Sequence, residues 1–115
     1  MIEEIVLGYL QEKAGVLDPP IGVFMETEQD PPGEFFLVEK TGSSRENQIL
    51  RATFAVQSYA GSMYRAAEMN QMAIGWLDDL PDERDVFSVE LNSDYNFTDV
   101  NTRKYRYQAV FDIVY

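Results

Sequence analysis

The 115-residue chain predicts an α+β fold, a mostly antiparallel sheet of about five strands packed with two helices, in the order α-β-β-β-α-β-β. Three observations predict it. Apolar residues recur at helical spacing in two separate stretches, at the start of the chain and in its middle. Elsewhere they alternate at strand period, most cleanly towards the C-terminal end. Strand-like segments also follow one another without a helix between them, first three and then two, which favours antiparallel pairing.

Residues 2–13 form the first predicted helix. Ile2, Ile5, Val6, Tyr9 and Leu10 fall on one face, and Glu3, Glu4, Gln11 and Glu12 fall between them. Acidic residues in the first turn suit the positive end of the helix dipole, and Gly15 is a stop signal. Pro19-Pro20 forbids helix and favours extended chain, so a short strand is expected from Ile21 to Glu26.

Glu28-Gln29-Asp30-Pro31-Pro32-Gly33 reads as a loop, and Phe35 to Glu39 as a strand with both faces largely covered. Thr41-Gly42-Ser43-Ser44 reads as a second loop. A long strand from about Glu46 to Tyr59 follows, with Leu50, Ala52, Phe54 and Val56 alternating against Arg51, Thr53, Ala55 and Gln57. Ala60-Gly61-Ser62 breaks it, and Ser62 is placed to cap a helix running from Met63 to Leu80.

Pro81 ends that helix, and Asp82-Glu83-Arg84-Asp85 is a charged loop. Val86 to Leu91 reads as a strand whose extension passes through Tyr95 and Phe97. Thr98 to Thr102 makes a polar hairpin loop. In the last strand Tyr105, Tyr107, Ala109, Phe111, Ile113 and Tyr115 occupy one face, and Arg106, Gln108, Val110, Asp112 and Val114 the other. Phe54, Val56, Trp76, Leu77, Tyr107 and Phe111 are expected to share one core, with Met63, Met69 and Met72 as filler. One domain spanning residues 1–115 is the expectation at this length.

Composition closes several functional routes. With no cysteine there is no disulfide, thiol nucleophile or zinc–thiolate site, and with no histidine the commonest general base and transition-metal ligand are missing. Six serines lack a histidine to activate them, and seven scattered glycines form no phosphate-binding loop. Asp78-Asp79, Asp82–Asp85 and Asn92–Asp99 offer oxygens for a hard cation, but the last lacks a central Gly and a terminal Glu, and such residues serve loop backbones. No catalytic, cofactor-binding or metal-ligating residue is assigned, and no cofactor is expected.

The formal charge is −11, from 20 acids against 9 bases, which argues against ordinary phosphate-backbone binding. It is unevenly spread: residues 1–39 hold nine acids and one base, residues 40–77 two acids and four bases, and residues 78–115 nine acids and four bases. A slightly basic middle between acidic ends allows head-to-tail charge pairing between copies. Glu3 and Glu4 spoil a signal peptide, and no apolar run approaches the roughly 20 residues of a membrane span. A soluble protein made in a cytoplasm, with no membrane partner, is expected.

Glu39–Asn47, Ala55–Ala60, Leu91–Asp99 and Lys104–Asp112, taken as a set, resemble small proteins from the head–tail joining and tail region of siphophages and prophages of Gram-positive bacteria. The order of elements is also similar to that of the tail-terminator, or tail-completion, fold. The resemblance implies a structural virion component that assembles into a ring, typically six-fold, at the head-proximal end of a long non-contractile tail. Its partners would be further copies of itself, the tail tube protein and the head–tail connector protein, with DNA passing through without specific binding. It carries no catalytic residues. The alternatives are a head–tail connector (neck) protein of similar fold and, from another class, an acidic DNA mimic that inhibits a host enzyme; a small metal-dependent carboxylate enzyme ranks below both. The predicted assembly interface comprises Arg45, Asp94, Tyr95, Phe97 and Asp99, on loops held by the sheet.

Overall fold

The computed structural model describes residues 1–115. The elements are α1 (Ile2–Gly15), β1 (Gly22–Phe24), β2 (Phe35–Glu46), β3 (Ile49–Ala60), α2 (Met63–Asp78), α3 (Leu80–Glu83), β4 (Ser88–Asn96) and β5 (Tyr105–Val114). They form an α+β fold around one five-stranded sheet of order β1-β2-β3-β5-β4. Only β1 and β2 pair in parallel, and every other pair is antiparallel.

Register explains why one face is apolar. Ala52, Phe54 and Val56 lie opposite Ile113, Phe111 and Ala109, and Val38 lies opposite Val56. These side chains share a face, because successive residues of a strand point to opposite sides. All are buried in one cluster with Val6, Tyr9 and Leu10 of α1 and Ala66, Met69, Ala73 and Leu77 of α2. Both long helices therefore cover the same face. Burying a side chain such as Phe54 or Phe111 contributes about 1.5–3 kcal/mol. Trp76 and Tyr107 pack against this cluster from its partly buried rim, with the Trp76 indole edge-on to Phe36 at 5.8 Å. Ser62 caps α2 by accepting from the Arg65 N–H at 3.2 Å.

Several boundaries differ from expectation. Thr41–Ser44 is not a loop. Strand β2 continues through it, with a register shift between Lys40 and Gly42. Glycine in a strand often marks such a bulge, so the composition of a turn was present without the turn. The reversal falls instead at Asn47-Gln48, both at positive φ, 50° and 66°. That two-residue geometry matches the right-handed twist of the flanking strands. As a result Arg45 sits in a strand, and the nine residues Thr41–Ile49 form a fully exposed hairpin arm. Beyond Leu37 no strand pairs with the outer edge of β2.

Similarly, Asp94 and Tyr95 are in β4 and not in a loop, with a bulge between Leu91 and Ser93. Strand β1 is shorter than predicted, and β3 starts at Ile49 and not at Glu46. The middle helix stops at Asp78. Pro81 then lies in the first turn of the separate α3, where its missing N–H costs nothing.

Candidate functional site

The second face of the sheet carries no helix. Strand period places Phe35 and Leu37 of β2, Ala55, Gln57 and Tyr59 of β3, Arg106, Gln108 and Val110 of β5, and Tyr95 of β4 on it. Phe97 lies just past β4 opposite Arg106, to which its N–H donates at 2.8 Å.

The polar side chains among them are wired together across three strands, β3, β5 and β4. Arg106 Nη1 donates to the Tyr59 hydroxyl at 3.0 Å, and that hydroxyl donates to Gln57 Oε1 at 2.7 Å. Gln57 Nε2 donates to Gln108 Oε1 at 2.8 Å, and Gln108 Nε2 donates to the Tyr95 hydroxyl. Every donor points the same way, so the bonds polarise one another. The chain ends at the Tyr95 hydroxyl, which accepts within the network and keeps its own proton for an outside acceptor.

Aromatic contacts run beside the polar chain. Phe35 and Tyr59 stack at 4.5 Å and 7° between planes, and Tyr95 meets Phe97 edge-on at 5.9 Å. The Arg106 guanidinium lies 4.4 Å from the Phe97 ring centroid and 5.7 Å from that of Tyr59. Side chains fixed in this way have lost rotamer freedom before any partner arrives, which removes part of the cost of association.

Of the predicted interface residues, the structure brings Tyr95 and Phe97 together on this face, at 41% and 38% exposure. Asp94 points to the other side, where it accepts from the buried Asn70 of α2 at 2.9 Å. Asp99 lies in the turn before β5 and accepts from the Asn101 N–H at 3.0 Å, a contact that holds its carboxyl below the usual range. Arg45 is in the hairpin arm, at the opposite end of the sheet from Phe97. The interface expected from the sequence does not include Arg106, Tyr59, Gln57 or Gln108. Their signal was the polar alternate register of the two strands whose apolar register builds the core.

The remaining displaced ionisations lie on the helical side. Lys40, 3.0 Å from Glu3, holds that carboxyl low. The Tyr9 hydroxyl and then Lys13 do the same for Glu83, while burial and then Glu83 raise Tyr9. No three carboxylates converge into a group that could hold a metal ion. The arrangement on the helix-free face suits contact with another macromolecule. Comparison with protein-family models and with curated proteins finds no match to this chain.

Proposed function

We propose that this protein is a structural subunit of a phage virion, a tail terminator or tail-completion protein that forms a ring at the head-proximal end of a long non-contractile tail. One observation carries the reading on the structural side, namely the helix-free sheet face whose side chains are pre-ordered from Phe35 to Tyr95. A protein interface favours such a surface, which carries Tyr and Arg and has little rotamer entropy left to lose. The exposed arm Thr41–Ile49 adds a projection with which a neighbouring subunit or layer can engage. The strands and the two long helices follow the element order read from the sequence, on which the resemblance to the tail-completion fold rests in part. In this reading the net charge of −11 leaves passing DNA unbound.

Deletion of the gene from a phage that carries it, with complementation in trans, tests the proposal. Electron microscopy should show tails of irregular length or heads without tails, and the wild-type gene should restore normal particles. Normal infectious particles without the protein would overturn it. Tyr95→Ala combined with Phe97→Ser removes two partly exposed rings and leaves the buried core untouched, so the fold should persist, which a thermal melt checks. Failure of that variant to complement would assign the helix-free face to the contact.

A further inference from the structure

Four of the nine bases are held in ion pairs within the chain: Lys13 with Glu83, Lys40 with Glu3, Arg65 with Glu34 and Glu68, and Arg84 with Glu12. Three of the other five, Arg103, Lys104 and Arg106, line one cleft of about 380 Å³ where β2 and β5 begin and β3 ends. Its remaining walls are apolar or aromatic, chiefly Pro31, Pro32, the stacked Phe35–Tyr59 pair and Tyr105, and no carboxylate lines it. Arg103 is held at φ 55°, a left-handed conformation that side chains rarely adopt.

The complementary surface lies at the other end of the sheet, about 30 Å away along the ten residues of β5. There α2 and α3 end and β4 begins. Asp82 and Asp85 are exposed in that segment and make no ion pair, and Phe87, two residues beyond Asp85, is 82% exposed. One end thus offers bases around aromatic and proline walls. The other offers the exposed acids Asp82 and Asp85 and, two residues beyond Asp85, an unburied aromatic whose own cleft is shared with Arg51, Glu90 and Asp112.

We infer that the Asp82–Phe87 segment of one copy docks in the Pro31–Arg106 cleft of a second copy. Phe87 packs against the proline and tyrosine walls, and Asp82 and Asp85 face Arg103 and Lys104. A large aromatic set in a pocket and ringed by charge is the usual form of an interface anchor. Because the two surfaces are different patches of one chain, a docked pair still presents one free cleft, on the copy that gave its segment, and one free segment, on the copy that gave its cleft. The contact is heterologous and propagates until a ring closes. It rests on the ring-subunit reading for that closure, and it names the surfaces that meet.

The test uses the full chain, mixed with its ¹⁵N-labelled form at high concentration and low salt. A carbodiimide couples lysine directly to a carboxylate and should yield heavy–light peptides joining Lys104 to Asp82 or Asp85. Sedimentation should show association that weakens roughly tenfold or more in Arg103→Glu/Lys104→Glu and in Asp82→Lys/Asp85→Lys. Mixing these two variants should restore it, since each supplies the charge the other lacks. Phe87→Ser should weaken association at every salt concentration. Oligomers indifferent to charge reversal and to Phe87→Ser would overturn this contact and leave the ring reading standing. A wild-type chain that stays monomeric and gives no heavy–light peptide would overturn contact between copies through these surfaces, while the particle phenotype of the gene deletion would still decide the virion role.

Discussion

The Arg106 guanidinium lies over the Phe97 ring at 4.4 Å and donates through Nε to the Phe97 carbonyl at 2.6 Å. This pair clamps the outgoing end of β4 to β5 and starts the polar chain that ends at Tyr95. One side chain therefore couples the order of an edge strand to the order of the surface beside it. Arg106→Lys keeps the charge and loses the planar fork, so it cannot serve Phe97 and Tyr59 together. Expected costs are about 1–2 kcal/mol for Arg106→Ala and most of that for Arg106→Lys, given a half-exposed site. Urea unfolding of the two variants checks this, and a lysine variant as stable as the parent would show that charge alone is at work.

Core substitutions should rank by burial. Phe54 is fully enclosed between the sheet and the helices, whereas Trp76 sits at the rim with its edge on Phe36. Phe54→Ala should cost about 3–5 kcal/mol through lost transfer and an uncollapsed cavity. Trp76→Ala should cost less, about 2–3 kcal/mol, because part of the indole already meets water. Denaturant midpoints compared at equal slope decide the order.

The two long helices, the mostly antiparallel sheet and the core-facing register were legible because each is written in periodicity, and Phe54, Val56, Leu77 and Phe111 fall where helical or strand period puts them. What the sequence hid was the meaning of its punctuation. Gly42 reads as a turn but sits beside a bulge, and the real reversal uses Asn47-Gln48, which lacks the glycine that usually announces it. A bulge also reverses which face later residues occupy. Asp94 accordingly lies against α2, while Tyr95 faces the helix-free side. The glutamine–tyrosine network was hidden for another reason: polar residues on a strand read as solvated until the register sets them opposite one another.

The Gln48 conformation makes a sharper prediction. A non-glycine residue in the left-handed region costs about 1–2 kcal/mol. Glycine relieves that cost and gives back about 0.4–1 kcal/mol through a freer unfolded chain. Gln48→Gly should therefore stabilise the arm, and the β-branched Gln48→Val should destabilise it. The arm is exposed, so its local opening is the quantity to follow. Amide exchange in the Glu46–Leu50 segment should slow roughly two- to fivefold in the glycine variant.

Tyr9 and Glu83 predict how stability depends on pH. The Tyr9 oxygen lies 2.7 Å from both Glu83 Oε2 and the Trp76 carbonyl, tying α1 to the end of α2 and to α3. Glu83 titrates below its ordinary 4.5 because Tyr9 and Lys13 favour its charged form. A depressed carboxylate contributes stability above that ordinary value and loses it as pH falls through the lowered one. Tyr9 titrates above its ordinary 10.0, first through burial and then through Glu83. Its contribution is complete below 10.0 and declines as pH rises beyond it. Melting temperature should thus fall on both limbs, and Tyr9→Phe should flatten the alkaline limb.

Asn70 and Asp94 give the prediction that separates support from surface. Asn70 is fully buried, its Oδ1 finds no donor, and its Nδ2 is satisfied only by Asp94 at 2.9 Å. Removing Asp94 leaves the whole buried amide unpaired, so Asp94→Ala should cost about 1–3 kcal/mol. Replacing Asn70 by leucine removes the polar group together with its need for a partner. Asn70→Leu should be nearly neutral, because shape is roughly kept and no buried donor remains. In that background Asp94→Ala should cost almost nothing. A double-mutant cycle measures the difference as a coupling energy, and the two residues are close enough to couple. If Asp94→Ala is equally costly with leucine at position 70, its partner lies elsewhere. If Asp94→Ala leaves stability unchanged and impairs only self-association, then Asp94 belongs to the assembly surface and not to the support of α2.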